Sequence, residues 1–370
     1  MESKAKGGRL ISPKYGRLLA DFSVGDTYHH PWEVTVDDGM LALFAASFLD
    51  PNPLYSSRRF AREIGFRDRV VHPMVLLNLA LSFSVHDVSE QTIAHLGYSK
   101  LVFPNAAYAG DTVRAFSEVL GVRPSESKPG RGIVHVRVTG VNERDEPVIC
   151  FERRALIPGG NLAGRAHPCA EPAPSRPAQR ASELPRELAS PVEIPAWPGR
   201  PKGTFEDFET GDVILHDAGR TVGESEHMQL AQLSRNSHPL HVDEIYSRDH
   251  SLAGTRMVCG GLVLAWAMAL ASRDTSANAL WEMACDNGRH SAPVLAGDTL
   301  YAASRVTGKR GHNDRAGVVE FHLVCVKNER PDALIRAGKD LFEGRLEQKA
   351  FEIERKVLLP RRLNAQATDR

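Results

Sequence analysis

A short histidine-bearing segment and a nearby pair of glycines are the residues of this sequence best suited to chemistry. Asn236–His241 reads Asn-Ser-His-Pro-Leu-His, and Cys-Gly-Gly at 259–261 leads into the apolar segment Leu262–Ala271. A histidine can accept and return a proton near pH 7, and a glycine at the start of a helix offers a free backbone N–H to a developing oxyanion. We therefore predict that His241 and Gly260 form the centre of a site for acyl-thioester chemistry.

The same residues also have structural interpretations. Asparagine commonly caps turns, so Asn236 is as consistent with a turn as with binding a water molecule. His238 precedes a proline and fits a structural loop position better than a catalytic one. Gly260 could serve close helix packing only, and His241 could be a hydrogen-bonded loop histidine. The recurrence of this motif elsewhere in the chain favours the catalytic interpretation.

The sequence contains an internal duplication. Asp21–Asp26 (Asp-Phe-Ser-Val-Gly-Asp) returns as Asp207–Asp212 (Asp-Phe-Glu-Thr-Gly-Asp), 186 residues later. Ala-Gly-Asp-Thr at 109–112 returns at 296–299, 187 residues later. Solenoid repeats have periods of roughly 20–50 residues, so this near-constant offset indicates a duplicated domain.

Each copy predicts the same elements in the same order. Long apolar helices are predicted over Met74–Val85 and Gly261–Ser272. Segments that alternate with period two, such as 135–139 and 320–324, follow each helix and predict half-buried antiparallel strands. The expected fold class is α+β, a tandem double hot-dog in which each antiparallel sheet wraps around one central helix. Pairing the two sheets would also cover exposed edges.

Composition divides the chain into four segments. Residues 1–18 are rich in Lys, Arg and Gly and are predicted to be a flexible arm. The N-terminal unit spans 19–158, and the C-terminal unit spans 204–362. Between them, 159–203 is rich in proline and alanine, lacks apolar periodicity and is predicted to be an extended linker.

The overall composition, net charge and cysteine content exclude several classes of protein. Of 370 residues, 42 % are hydrophobic and the formal net charge is zero, so neither nucleic acid nor an anionic membrane is an expected partner. The five cysteines form no CxxC pair, so no disulfide framework and no metal site are expected and a reducing compartment fits best. The apolar run Leu262–Ala271 is about half of the ~20 residues that a membrane span needs. No signal-peptide pattern is present, and we expect a cytoplasmic protein.

The motifs resemble those of a known family. The Asp-x-Asn-Pro-x-His signature of MaoC-like (R)-specific enoyl-CoA hydratases is similar to Asp50–Tyr55 and to Asn236–His241. The apolar-apolar-His-Gly-Met element that follows it is similar to Val70–Met74 and Met257–Gly261. The chain also resembles the double-hot-dog branch of mesaconyl-CoA hydratases (β-methylmalyl-CoA dehydratases), in which asparagine also replaces the signature aspartate. This resemblance rests on the segments 226–229, 287–290 and 296–299.

The resemblance implies a hydro-lyase that reversibly hydrates a short-chain branched enoyl-CoA, mesaconyl-CoA above all. His241 would take the proton from water, Gly260 would polarise the thioester carbonyl, and Asn236 would hold the water. CoA is part of the substrate, so no separate cofactor is expected. The partner is this small molecule, and association of double hot-dog units into a homo-oligomer stays open.

Four further residues are predicted to bind substrate. His238 is a candidate second acid or base, and Gly261 continues the helix N-terminus that faces the thioester. A planar guanidinium binds a carboxylate bidentately, and mesaconyl-CoA carries one. Arg289 is the first candidate for that contact and Arg256 the second.

The two copies differ at the positions that matter for catalysis. In the first copy Tyr55 occupies the histidine position and Pro73 the oxyanion-glycine position, and proline has no N–H to donate. We predict that the N-terminal unit is a scaffold and a wall of the CoA channel, and that the C-terminal unit carries the chemistry.

Two other functions stay open. A hot-dog thioesterase places an Asp or Glu on or beside the central helix, and neither predicted helix contains one. A non-catalytic acyl-CoA binding protein would have no reason to retain His241 together with Gly260. Both observations favour the hydratase.

Overall fold

The structure, a computed structural model, describes residues 15–125, 129–159, 183–194 and 203–362. Most of the predicted arm (1–18) and linker (159–203) lies outside these residues. The domain boundaries therefore stay predictions.

Among the described residues, ten strands form a single antiparallel sheet with the order β1-β3-β4-β5-β2-β7-β10-β9-β8-β6. The strands are β1 (Thr27–Thr35), β2 (Ala94–Val102), β3 (Thr112–Pro124), β4 (Arg131–Val141), β5 (Pro147–Pro158), β6 (Val213–Thr221), β7 (Trp281–His290), β8 (Thr299–Gly311), β9 (Ala316–Lys327) and β10 (Lys349–Pro360).

Helices lie against this sheet and in the segments that connect it. They are α1 (Asp38–Phe48), α2 (Pro53–Ser56), α3 (Arg58–Glu63), α4 (Pro73–Phe83), α5 (Glu224–Leu233), α6 (Glu244–His250), α7 (Gly260–Thr275) and α8 (Pro331–Arg336). The predicted apolar helices correspond to α4 and α7, with slightly shifted ends. No helix of the described ranges is long and apolar enough to cross a membrane.

Each half of the sheet surrounds one buried helix. Every residue of α4 is buried, and α7 is buried along most of its length. Such helices are apolar on all sides because the sheet covers one face and neighbouring helices cover the rest. The strands β1 to β5 surround α4, and β6 to β10 surround α7. This arrangement confirms the predicted α+β double hot-dog fold.

The two halves join through β2 and β7 at the centre of the sheet. Tyr98 pairs with Gly288 and Leu101 with Cys285 across this junction. A Cβ at Gly97 would lie 2.1 Å from the carbonyl oxygen of Gly288, so the close approach of the strands requires glycine there. The central helices also meet, since the Asn78 amide donates to the Gly261 carbonyl at 3.2 Å.

An Asp–His–Ser trio recurs in both halves. His30 bridges Asp87 and Ser117 at 2.9 and 2.8 Å, and His216 bridges Asp274 and Ser304 at 2.8 Å each. Both serines are fully buried, whereas the Asp274 side chain is 38 % exposed. Each trio joins the first strand of its half to the sheet and to the central helix or the segment that directly follows it.

Candidate active site

The histidine segment lines a cavity of about 270 Å³ at the boundary of the two halves. The second half contributes Asn236, His238, His241 and the start of α7, and the first half contributes residues of β2 and β5. The cavity therefore belongs to neither half alone.

His241 is held in one tautomer. Its Nδ1 lies 2.8 Å from the carbonyl oxygen of Met257 and donates to it, since a carbonyl oxygen can only accept. The lone pair is therefore on Nε2. Burial lowers the pKa of His241 to about 4, so the imidazole is neutral at physiological pH. A neutral imidazole with a free lone pair, lining a cavity, can act as a general base.

Gly260 is the first residue of α7. The first N–H groups of a helix have no partner within the helix, and the Gly260 N–H has none elsewhere in the part of the chain that the structure describes. The helix N-terminus adds partial positive charge at this point. A Cβ at this position would lie 2.8 Å from Nε2 of His290, so glycine keeps the space open. This geometry suits an oxyanion, and the catalytic role stays a prediction.

The Asn236 amide is bound within the protein at both ends. Its Oδ1 accepts from the His238 N–H at 3.0 Å, and its Nδ2 donates to Sγ of Cys259 at 3.3 Å. The Cys259 sulfur also lies near the N–H groups of Gly261 and Leu262 at the start of α7. These contacts match the turn-capping interpretation of Asn236, and its predicted hold on water has no separate support.

His238 has a capping role as well. Its Nδ1 accepts from the Leu240 N–H at 3.2 Å and so caps the short 3-10 helix Pro239–His241. The ring lines the cavity at 5.6 Å from that of His241, measured between centroids. Burial, and the neighbouring His241, lower the pKa of His238 to about 3.

The other predicted substrate-binding residues lie off the cavity. Arg289 is 70 % exposed and pairs with Glu352 at 2.8 Å. Arg256 pairs with Glu224 and, at 3.2 Å, with Glu244. The cavity brings together Asn236, His238, His241 and Gly260, and does not include either arginine or Gly261.

Several polar residues of the cavity were not predicted from the sequence, and four of them lie on strands. His290 ends β7, His95 and Tyr98 lie on β2, and Arg153 lies on β5. Each carries a buried nitrogen or oxygen without a hydrogen-bond partner among the described residues. The segment 287–290 did give a signal, but the chemistry was assigned to Arg289 instead of its neighbour His290.

A family model described as mesaconyl-CoA hydratase matches residues 9–338. The chain belongs to the mesaconyl-CoA hydratase family. It is 32 % identical over 320 residues to mesaconyl-CoA hydratase of Cereibacter sphaeroides, covering 85 % of this chain and 90 % of the relative. It is 30 % identical to β-methylmalyl-CoA dehydratase of Chloroflexus aurantiacus, covering 94 % and 98 %. These findings confirm the resemblance seen in the motifs.

A solved structure supports the fold of this mesaconyl-CoA hydratase family member. The chain superposes with a TM-score of 0.81 and 28 % identity on a protein of Chloroflexus aurantiacus described as a MaoC domain protein dehydratase. The match covers 94 % of this chain and 98 % of that one.

The first copy of the family signature is occupied by contacts within the protein. Asp50 lies 3.3 Å from Nε2 of His72, and the Tyr55 ring packs on that histidine at 4.5 Å between centroids. Asn52 donates to the carbonyls of Ser276 and Ala279 at 3.0 and 2.9 Å. Pro73 begins α4 in the place that Gly260 has in α7. These contacts lie within the protein, and the scaffold role of this half stays a prediction.

Proposed function

We propose that the chain catalyses the reversible addition of water to a short-chain branched α,β-unsaturated acyl-CoA, with mesaconyl-CoA and β-methylmalyl-CoA as the pair of reactants. The observation that carries the proposal is one cavity that holds both a neutral His241 with a free Nε2 and the unpartnered N–H of Gly260. The two relatives named above act in the two directions of this reaction.

The Gly260 N–H would donate a hydrogen bond to the thioester carbonyl. Negative charge develops on that oxygen as water adds to the β-carbon, so the hydrogen bond is stronger in the transition state than in the ground state. One such donor typically lowers the activation free energy by about 3–4 kcal/mol. The N-terminus of α7 acts in the same direction.

His241 would move the proton. Its Nε2 takes a proton from water while the oxygen bonds to the β-carbon, which leaves an enolate and an imidazolium. The imidazolium then returns the proton to the α-carbon, so atoms and charge balance. In the dehydration direction the same groups act in reverse order. CoA belongs to the substrate, and we propose no separate cofactor.

We propose that the protein acts in the cytoplasm. Five cysteines without a CxxC pair favour a reducing compartment. Burial raises the pKa of the thiol of Cys259 beside the cavity, and its hydrogen bonds fit a reduced sulfur.

Replacement of His241 tests the proposal. His241→Ala should lower the rate of mesaconyl-CoA hydration by about 10²–10⁴, the usual contribution of a general acid or base. Tyr55→Phe alters the equivalent residue of the first half and should leave the rate nearly unchanged. The rate is followed as the loss of enoyl-thioester absorbance in the ultraviolet, with free thiol assayed in parallel.

The other outcomes of this assay identify the other functions. Release of free CoA by the wild-type chain would indicate a thioesterase. Binding of the acyl-CoA with neither change would indicate a binding protein. Equal losses in the two variants would contradict the assignment of the chemistry to the second half.

A further inference from the structure

A buried arginine on β5 has no negatively charged partner in the part of the chain that the structure describes. Arg153 is only 3 % exposed, and its Nη2 donates to the hydroxyls of Ser84 and Ser89 at 2.8 and 3.1 Å. Its Nε has no hydrogen-bond partner among the described residues, and none of their carboxylates forms an ion pair with it. Burial lowers the pKa of Arg153 to about 10, so the side chain is still a cation at neutral pH. An unpaired buried charge is costly, and proteins normally neutralise one.

The second half shows how such a charge is neutralised within the fold. Arg355 on β10 lies opposite Cys285 of β7, as Arg153 on β5 lies opposite Tyr98 of β2. Arg355 forms two hydrogen bonds with Glu282, at 3.0 and 2.7 Å.

The residue in the equivalent position of the first half is His95, not a glutamate. His95 pairs with Ala155 on β5, two residues after Arg153, and Glu282 pairs with Val357 on β10, two residues after Arg355. One half therefore supplies its own carboxylate to the buried arginine. The other half places a neutral ring there and leaves the arginine facing the cavity.

Two further unpartnered groups lie beside Arg153 in the cavity wall. The Tyr98 hydroxyl and both ring nitrogens of His95 are buried without hydrogen bonds among the described residues. The two rings are 4.4 Å apart between centroids. A buried polar group without a partner is destabilising, so three such side chains at one place indicate a missing ligand. Cationic and hydrogen-bond-donating groups together select an anion.

We infer that Arg153, with Tyr98 and His95, binds a carboxylate at the end of the acyl chain opposite the thioester. The inference rests on the proposed function and assigns the residues that recognise the carboxylate of its substrate. The carboxylate accepts from Nε–H of Arg153 and from the hydroxyl of Tyr98. The half without the catalytic histidine thus determines specificity.

The test compares two substrates that differ only at the inferred contact. Mesaconyl-CoA and 2-methylcrotonyl-CoA share a carbon skeleton, with a carboxylate in the first where the second has a methyl group. Arg153→Gln should lower kcat/KM for mesaconyl-CoA on the order of 10²-fold and leave that for 2-methylcrotonyl-CoA within about threefold. Arg153→Lys, which keeps the charge but not the geometry, should give an intermediate loss.

Tyr98→Phe tests the inference with little risk to folding. It removes only a hydroxyl that has no hydrogen-bond partner among the described residues, so the thermal midpoint should not fall. The variant should lose about tenfold in kcat/KM for mesaconyl-CoA and little for 2-methylcrotonyl-CoA. Arg289→Gln is the matched comparison, and its substrate preference should be that of the wild type because Arg289 is exposed and paired with Glu352.

The outcomes separate this inference from the proposed function. Equal losses on both substrates, or a loss of preference in Arg289→Gln instead of Arg153→Gln, would overturn the carboxylate site. If the wild type hydrates neither substrate, the proposed function fails and calorimetric binding of the two CoA esters decides the site. Tighter binding of mesaconyl-CoA that is lost in Arg153→Gln would then support it, and equal binding would overturn it.

Discussion

His241 is kept neutral by its surroundings. The Met257 carbonyl fixes the proton on Nδ1, and burial lowers the pKa to about 4 from an ordinary value of 6.5. An unperturbed histidine would be half protonated near pH 6.5 and would then lose its function as a base. The fold therefore maintains the base form across the whole physiological range.

The pH dependence of the reaction follows from that shift. In the proposed reaction the base form of His241 takes the proton from water, so kcat/KM should stay flat from pH 8 to about 6. It should decline only as the pH falls below about 5, toward the pKa of about 4. Initial rates with mesaconyl-CoA at constant ionic strength give the profile. An inflection near pH 6.5 would contradict a buried, neutral His241.

The control for this profile is a measurement of protein unfolding at low pH. The folded-state pKa of His241 lies below the unfolded value, so the unfolded chain binds more protons between about pH 6.5 and 4. Stability is therefore present above this window and is lost as the pH falls through it. His238 and His290, with pKa values of about 3 and 4, add losses of the same sign. Rates are interpretable only where the circular dichroism spectrum stays native.

Sequence reasoning found His241 and Gly260 but not Arg153, for a physical reason. Arg153 stands in the run Glu152-Arg153-Arg154, which resembles a solvated charged segment. In the structure Arg154 is exposed, Glu152 pairs with His135 and Arg137, and Arg153 alone faces the cavity. The environments of these three residues are set by contacts with other strands, and the local sequence pattern does not show those contacts.

Elements with a regular pattern were predictable. The central helices α4 and α7 are apolar on every side, β4 alternates along most of its length, and β9 alternates over 319–323. The strands β2 and β7 were not predicted, because they lie at the centre of a sheet shared by both halves and lack that alternation. These two strands carry His95, Tyr98 and His290, so the missed elements and the missed site residues have one cause.

The start of α7 can be tested by filling the space at its first residue. In Gly260→Ala the new Cβ would lie 2.8 Å from Nε2 and 3.0 Å from Cε1 of His290, so the ring or the helix must shift. The hydration rate should fall about 10²-fold or more, since displacement of one oxyanion-hole donor lowers the rate by about that factor. The free energy of unfolding should change by only about 1 kcal/mol, because alanine favours a helix.

The matched control for this variant is Gly311→Ala. A Cβ at Gly311 would meet nothing within 4 Å, so rate and stability should both stay near those of the wild type. Rates come from the enoyl-thioester assay and stabilities from urea denaturation. If Gly260→Ala retains full activity, the backbone at residue 260 does not contact the thioester.

At the scale of the whole molecule, the proposed function and the inferred carboxylate site assign different tasks to the two halves. The second half holds His241 and Gly260, whereas the first half supplies Arg153, Tyr98 and His95 to the same cavity. In the first half the signature residues Asp50 and Asn52 bind other parts of the protein. One half could therefore lose its catalytic residues while the cavity continued to depend on it.

Separating the halves tests this dependence. A fragment of residues 203–362 lacks the β2 partner of β7 and the α4 partner of α7, so an open sheet edge and an apolar helix face become exposed. It also lacks the inferred carboxylate site. The fragment alone should aggregate or bind mesaconyl-CoA without hydrating it, although it contains His241 and Gly260.

Co-expression with residues 1–159 should restore activity to within about tenfold of the intact chain, since the β2–β7 pairing can reform between separate chains. The readouts are hydration rate and light scattering, and a fragment that hydrates mesaconyl-CoA alone would show that the first half is dispensable.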